Sequence, residues 1–292
     1  MFKSTLLKPI FAVSLLILGG FAAACDRCQP PPDPGANSSV QCIVALTSLS
    51  ADLVHRLDAS KLVGIPGSRL LENQPGFQSL PQVSQGRSQP NLETIVALQP
   101  DLVIGASGFH DAVLKRLAEL GIQTWASEVN TWDALETLTE DLAIALEADA
   151  ATVLDRFQRC RGSGGGATPR VLMLVSHQPI LVPNEKSWAG EMLNRFQLQN
   201  AAATLQSDGP MAGFVTLSAE NVLEVDPDLL LVVNAEPTTL QNLEQQPFWQ
   251  KLSAVQRQQI HQADYYGLVN PGSVAAIEKA CEQLAKLSAQ DS

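Results

Sequence analysis

Short apolar runs rich in Val, Ile and Leu alternate with amphipathic helical patterns from residue 42 onward. The runs "CIVAL", "KLVGI", "DLVIG" and "IQTWA" predict buried strands. Between them, "SADLVHRL", "NLETIVAL" and "DAVLKRLAELG" carry apolar residues at helical spacing, the last stopped by Gly121. Strand-helix alternation of this kind predicts a mainly parallel sheet with helices on both faces. From residue 132 the pattern changes. "WDALETLTEDLAIALEADAATVLDRFQRC" contains no Gly or Pro, and Leu135, Leu138, Leu142, Leu146, Val153 and Phe157 recur at roughly helical spacing. One helix through it would span on the order of 40 Å at about 1.5 Å per residue, more than a crossover in one small sheet requires. After "GSGGGA" the alternation resumes with "RVLMLV", "ILV", "WAGEMLNRF", "SAENVLEV", "DLLLVV", the helical "LEQQPFWQKLSAV" and a last helix after Gly272. The expected architecture is α/β: two Rossmann-like lobes with mainly parallel sheets, bridged by a single long α-helix. The N-terminal lobe would cover 41–131, the interlobe helix 132–161, a Gly-rich loop 162–169 and the C-terminal lobe 170–292. The loop matches G-x-G-x-x-A, but it follows a helix and precedes a strand, the reverse of a dinucleotide-binding loop.

One unit occurs twice. "PNLETIVALQPDLVIG" at 90–105 returns as "SAENVLEVDPDLLLVV" at 218–233, with Glu93 and Glu220 in register 127 residues apart. Asn91 and Ser218 are suitable helix caps, and each glutamate falls in the first turn, where a carboxylate complements the helix dipole. Ile95 and Leu98, like Val222 and Val225, should face inward and turn both glutamates to solvent. Pro-Asp then ends the helix and launches a strand. Dipole complementation alone would explain either glutamate singly; the repetition points to pseudo-symmetric halves.

Ahead of the folded part, Lys3 and Lys8 precede "IFAVSLLILGGFAAA", a run short for a bilayer span and ending in small residues. That is the layout of an export signal over 1–24. Cys25 follows as "FAAAC", which resembles a bacterial lipobox and implies acylation of Cys25, although Ala22 stands where leucine is favoured and "AAA" also suits an ordinary signal peptidase. The Pro-, Gly- and Ser-rich stretch over 25–40 reads as a flexible tether. The expected location is therefore the periplasmic or cell-surface side, with the protein held to the membrane by its N-terminal lipid. Loss of Lys3 and Lys8 with the signal takes the formal charge from −11 to −13. Nucleic acid is not an expected partner of so acidic a chain.

The cysteines are Cys25, Cys28, Cys42, Cys160 and Cys281. With Cys25 acylated the other four allow three pairings, among which sequence does not choose. Cys281 lies on the stripe of Val274, Ile277 and Leu284 and reads as a small buried apolar residue. No G-x-S-x-G or H-E-x-x-H occurs and no cysteine has an evident histidine partner, so neither catalysis nor a cofactor is expected. His55, His110, His177 and His261 lack the paired spacing of a protein-built metal site, although His110 and His177 stand near cleft loops.

The "P-x-L-E-x-I-x-x-L-x-P-D-L-V-I" run, with "KLVGIP" before it, "RLAELGI" after it and the long connecting segment, resembles substrate-binding proteins of bacterial ABC importers. The class is the one that handles iron-siderophores, cobalamin and haem. The resemblance implies two rigid lobes, a small-molecule metal chelate held between them, and a monomer that docks Glu93 and Glu220 onto arginines of a permease dimer with its ATPase subunits. Within that class "GRSQPNLE" resembles the hydroxamate-siderophore branch, which gives Arg87 a ligand role, with Phe109 where that branch has a tyrosine. Trp188 in "NEKSWAGE", Phe214 in "GPMAGFVTL" and Tyr265 and Tyr266 in "ADYYGLVNPGS" are the second-lobe candidates; His110 is a further one. The expected function is a lipoprotein that captures a ferric siderophore for an importer. A cobalamin or haem receptor, a zinc or manganese importer subunit and a ligand-sensing receptor subunit are the alternatives.

Overall fold

The computed structural model describes residues 40–86, 88–162, 168–206, 212–234 and 238–289. The export signal, the tether, Cys25, Cys28, Arg87 and most of the Gly-rich loop lie outside the described residues. The first lobe runs β1 (Ile43–Ala45), α1 (Ser48–Asp58), β2 (Leu62–Gly64), α2 (Arg69–Glu72), α3 (Leu92–Ala97), β3 (Leu102–Ala106), α4 (Asp111–Glu119) and β4 (Gln123–Ser127). Its sheet is parallel throughout, in the order β2-β1-β3-β4. Connecting helices α5 (Trp132–Leu146) and α6 (Ala151–Gln158) lead to the second lobe. There β5 (Arg170–Leu174), β6 (Ser176–His177), β7 (Ile180–Pro183), α7 (Trp188–Arg195), β8 (Gln199–Asn200), β9 (Phe214–Leu217), α8 (Ala219–Val225), β10 (Leu229–Asn234), α9 (Thr239–Glu244), α10 (Ser253–Gln256), β11 (Ile260–Asp264), α11 (Tyr265–Leu268) and α12 (Val274–Ala289) follow. A parallel sheet, β11-β10-β5-β8, carries a small antiparallel one, β6-β7-β9, at its side. The strand runs are apolar at successive positions because both faces of each parallel sheet are covered.

The sequence repeat is a structural repeat down to single hydrogen bonds. Asn91 accepts from Thr94 N–H and Ser218 from Asn221 N–H, each opening its helix. Gln99 (φ 49) and Asp226 (φ 34) then adopt the left-handed conformation immediately before Pro100 and Pro227, which cannot continue a helix. The aspartate after each proline ties its strand to a neighbour. Asp101 accepts from the N–H groups of Gln41 (2.8 Å) and Cys42 (2.9 Å), ahead of β1, and Asp228 accepts from Arg170 N–H (3.0 Å) at the start of β5. Leu102 then pairs with Ile43 and Leu229 with Val171. Pro-Asp is thus a splice between a helix and the central strands of each lobe.

The continuous helix expected over 132–161 is instead two helices. α5 closes at Glu147, which is left-handed (φ 53, ψ 37), and Ala148 N–H returns to Ala143 C=O at 2.8 Å. Asp149 then accepts from Ala151 N–H (2.8 Å) and opens α6. The stop is tertiary in origin: the buried Lys61 ammonium donates to Leu146 C=O at 2.6 Å, placing positive charge at the negative end of α5. No glycine signals it.

One core crosses both lobes. Ile43 and Leu53 of the first, Leu135, Leu142 and Phe157 of the connecting helices, and Met173, Ile277 and Leu284 of the second form a single buried cluster. Two polar ties and a disulfide hold α12 within it. The buried Asp52 carboxylate of α1 accepts from Val274 N–H (2.8 Å) at the start of α12 and from Arg56 (2.9 Å). Arg156 of α6 makes a two-bond fork with Glu278, with Nε to Oε1 at 2.6 Å and Nη2 to Oε2. Cys160 forms a disulfide with Cys281 across 121 residues, so Cys281 is buried as expected but as half of a cross-link. Cys42 is disulfide-bonded as well.

The Arg156 hydrogen bond and charge hold the Glu278 carboxyl below the ordinary carboxylate range, against the opposing effect of burial. A depressed carboxylate stabilises the fold fully above its unfolded pKa, and that stabilisation is lost as pH falls through the folded value. Glu278→Gln should therefore flatten the acid limb of a thermal-unfolding curve against pH. Wild type and variant should differ most near neutrality and converge in acid; parallel curves would contradict this.

Candidate functional site

All strands of a parallel sheet end on one side, where open α/β folds present their binding loops. In the first lobe this end carries Ser68 and Arg69 after β2 and Ser107 to His110 after β3. In the second it carries His177 beyond β5 and Tyr265 and Tyr266 beyond β11. The two ends meet at Gly272 (φ +66). A Cβ placed there would lie 2.7 Å from Leu70 Cδ1 of α2 and 2.9 Å from Tyr266 Cδ1. The β2 edge of one lobe therefore abuts the β11 edge of the other.

Phe109 and Tyr266 are the exposed aromatics among the described residues, at 58% and 36% exposure, one at the binding end of each lobe. Exposed aromatic faces at the strand ends suit a ligand with flat or apolar parts. Tyr265 is half-buried, packs against the interlobe core and meets Tyr266 edge to face at 5.3 Å. Each exposed ring is supported from behind by a residue expected in the ligand site. His110 is buried, its Nδ1 accepts from Ala106 N–H (2.9 Å), and its ring meets Phe109 edge to face at 4.8 Å. Burial pushes its pKa down and so favours the neutral imidazole that this acceptor role needs, outweighing the Asp111 charge, which favours the cation.

Trp188 is buried too, stacked on Trp132 at 5.5 Å, with Arg195 over the Trp132 ring at 3.8 Å. Its indole N–H donates to Gly267 C=O (2.8 Å), in the turn that displays Tyr266. His110 and Trp188 thus both support the neighbouring loops: His110 Nδ1 is taken up by Ala106 N–H and the Trp188 N–H by Gly267 C=O. Phe214 opens β9 opposite Pro183 and packs half-buried against the main core. Sequence could not separate these cases, since a helix-start tryptophan reads alike whether it points in or out. Trp188→Phe keeps a ring and removes the N–H, and should lower stability by about 1 kcal/mol. Faster amide exchange should be confined to 265–270; uniform loosening would argue against a local tie.

Glu93 and Glu220 are both exposed in first turns of their short helices, on the binding-end side of each lobe. Its own backbone N–H and the Ser218 hydroxyl hold the Glu220 carboxyl below its ordinary range. Val96, one turn beyond Glu93, is 40% exposed. Among the described residues no group of three or more His, Cys, Asp or Glu side chains converges as a metal site, and no helix is long and apolar enough to cross a membrane. His261 Nε2, on β11, is buried without a hydrogen-bond partner.

Residues 43–265 match the family model described as periplasmic binding protein. The Fe(3+) dicitrate-binding periplasmic protein FecB of Escherichia coli K12 is 27% identical over 214 residues, 69% of this chain and 68% of that protein. The vitamin B12-binding protein of Pectobacterium carotovorum is 25% identical over 73% of this chain and 78% of its own length. An ABC transporter substrate-binding protein from Listeria monocytogenes superposes with a TM-score of 0.70 at 18% identity, covering 85% of this chain and 98% of that one.

Proposed function

The chain belongs to the periplasmic binding protein family, whose members bind substrates and are not enzymes, and from that premise we propose that it captures a ferric chelate between its lobes and delivers it to an ABC permease. The observation that carries this reading is the pair of exposed aromatics, Phe109 and Tyr266, one at the C-terminal strand ends of each lobe. Similarity to a ferric dicitrate-binding protein supports iron chelates of the carboxylate kind alongside the hydroxamates expected from sequence. Phe109, Tyr265 and Tyr266 supply the ligand walls, with Arg87 as an anion contact. Glu93 and Glu220 engage the permease, one per lobe, and Cys25 carries the lipid that keeps the protein at the membrane. Cobalamin is the second reading, supported by the vitamin B12-binding relative and by the same aromatic surfaces.

The test is calorimetry on residues 26–292 with ferric citrate, a ferric hydroxamate, a ferric catecholate, cyanocobalamin and haem. Submicromolar binding of a ferric chelate, weakened by Phe109→Ala and Tyr266→Ala, is the expected result. Tight binding of cyanocobalamin or haem with the iron chelates ignored would overturn the ligand and leave the transporter role.

A further inference from the structure

We infer that Arg69, at the binding end of β2, is an anion-contacting residue of the cleft and selects ligands with exposed carboxylates. The inference rests on the ferric-chelate reading above and adds a residue that the sequence patterns did not single out.

Most guanidinium groups of the described residues already have a partner. Arg56, Arg116, Arg156, Arg159 and Arg257 pair with carboxylates. Arg161 and Arg195 donate to backbone carbonyls. Among the described residues that leaves Arg69 and Arg170 without a side-chain hydrogen bond or ion pair. Arg170 begins β5, at the opposite end of its sheet, and lies in the field of Asp226. Arg69 alone is both unpaired and at the binding end. Lys279 is near that end of the second lobe, but Asp264 already neutralises it at 2.5 Å.

The backbone that carries Arg69 is held firmly. Ser68 caps α2 by accepting from Leu70 N–H and is bonded to Ser48 Oγ at 2.7 Å. Leu71 is buried in the core, and Leu70 reaches the Gly272–Tyr266 contact with the other lobe. An exposed arginine is thereby placed at the interlobe junction on an anchored turn. A mature chain of charge −13 repels anions at long range, so an anionic chelate needs local positive charge to stay. A planar guanidinium can meet a carboxylate through two parallel N–H bonds, which an ammonium cannot.

Calorimetry of ferric citrate, metal-free citrate and cyanocobalamin on wild type, Arg69→Gln and Arg69→Lys tests this. Ferric citrate affinity should fall about 10- to 100-fold in Arg69→Gln, as expected for a lost charge-assisted pair, and recover only in part in Arg69→Lys. The thermal midpoint should not move, because the side chain is exposed, and any cyanocobalamin affinity should be unchanged. Ferric citrate binding within about 2-fold of wild type in Arg69→Gln would overturn the role of Arg69 and leave the ligand reading intact. A wild type that binds cyanocobalamin and ignores ferric citrate would overturn both, a result distinct because it appears before any substitution.

Discussion

If Glu93 and Glu220 dock the permease as proposed, reversing both, Glu93→Lys with Glu220→Lys, should abolish ligand uptake by cells while ligand affinity of the isolated protein stays at its wild-type value. Both carboxylates are solvent-exposed at helix starts, so the fold does not depend on them and the substitutions should leave the thermal midpoint nearly unmoved. Charge at a rim contact governs encounter and orientation more than the energy of the final complex, and steering of this kind changes association rates by on the order of 10- to 1000-fold. Reversal adds repulsion to the lost attraction. Either single reversal should give an intermediate defect, since one lobe still docks correctly. The measurement is uptake of radioactive iron in cells expressing each variant, beside calorimetry on the purified protein. Full uptake by the double variant would refute the docking role.

The second large effect concerns Cys160 and Cys281. Replacing both by alanine should destabilise the fold by about 2–5 kcal/mol, because the cross-link closes a long loop and removes much of the freedom of the unfolded chain. For a protein of this size the thermal midpoint should drop by roughly 10 °C. The consequence reaches past stability. α12 is tied to the connecting helices by this disulfide and by the Arg156–Glu278 fork, and to the first lobe by Asp52. With those ties and a core shared by both lobes, domain closure should be limited to a small rotation. The alanine pair should widen the range of interlobe distances measured by paired spin labels, whereas an unchanged distribution would assign interlobe rigidity to the core alone.

The sequence alone determined the fold class, the two lobes and the repeated helix-to-strand unit, and the physical reason is that these are local. Strand runs such as "DLVIG" and "DLLLVV" are apolar at successive positions because both sheet faces are covered, and that pattern survives without knowing what covers them. Pro-Asp repeats because each aspartate must bond the chain beside the central strand. The outward turn of Glu93 and Glu220 follows from the inward turn of Ile95 and Val222 two residues on, about 200° around the helix. Tertiary structure decided what depends on residues far apart in the chain. The break at Glu147 answers to Lys61, 86 positions earlier, and carries no glycine to announce it. The pairing of Cys160 with Cys281 depends on where α12 packs. Trp188 at a helix start and His110 in a loop read alike as exposed or buried in the sequence, yet packing turns both inward and leaves Phe109 and Tyr266 exposed. Arg69 stands out because, among the described residues, the other guanidinium groups are paired, bonded to backbone or at the opposite end of the sheet, a fact about distances and not about residue types.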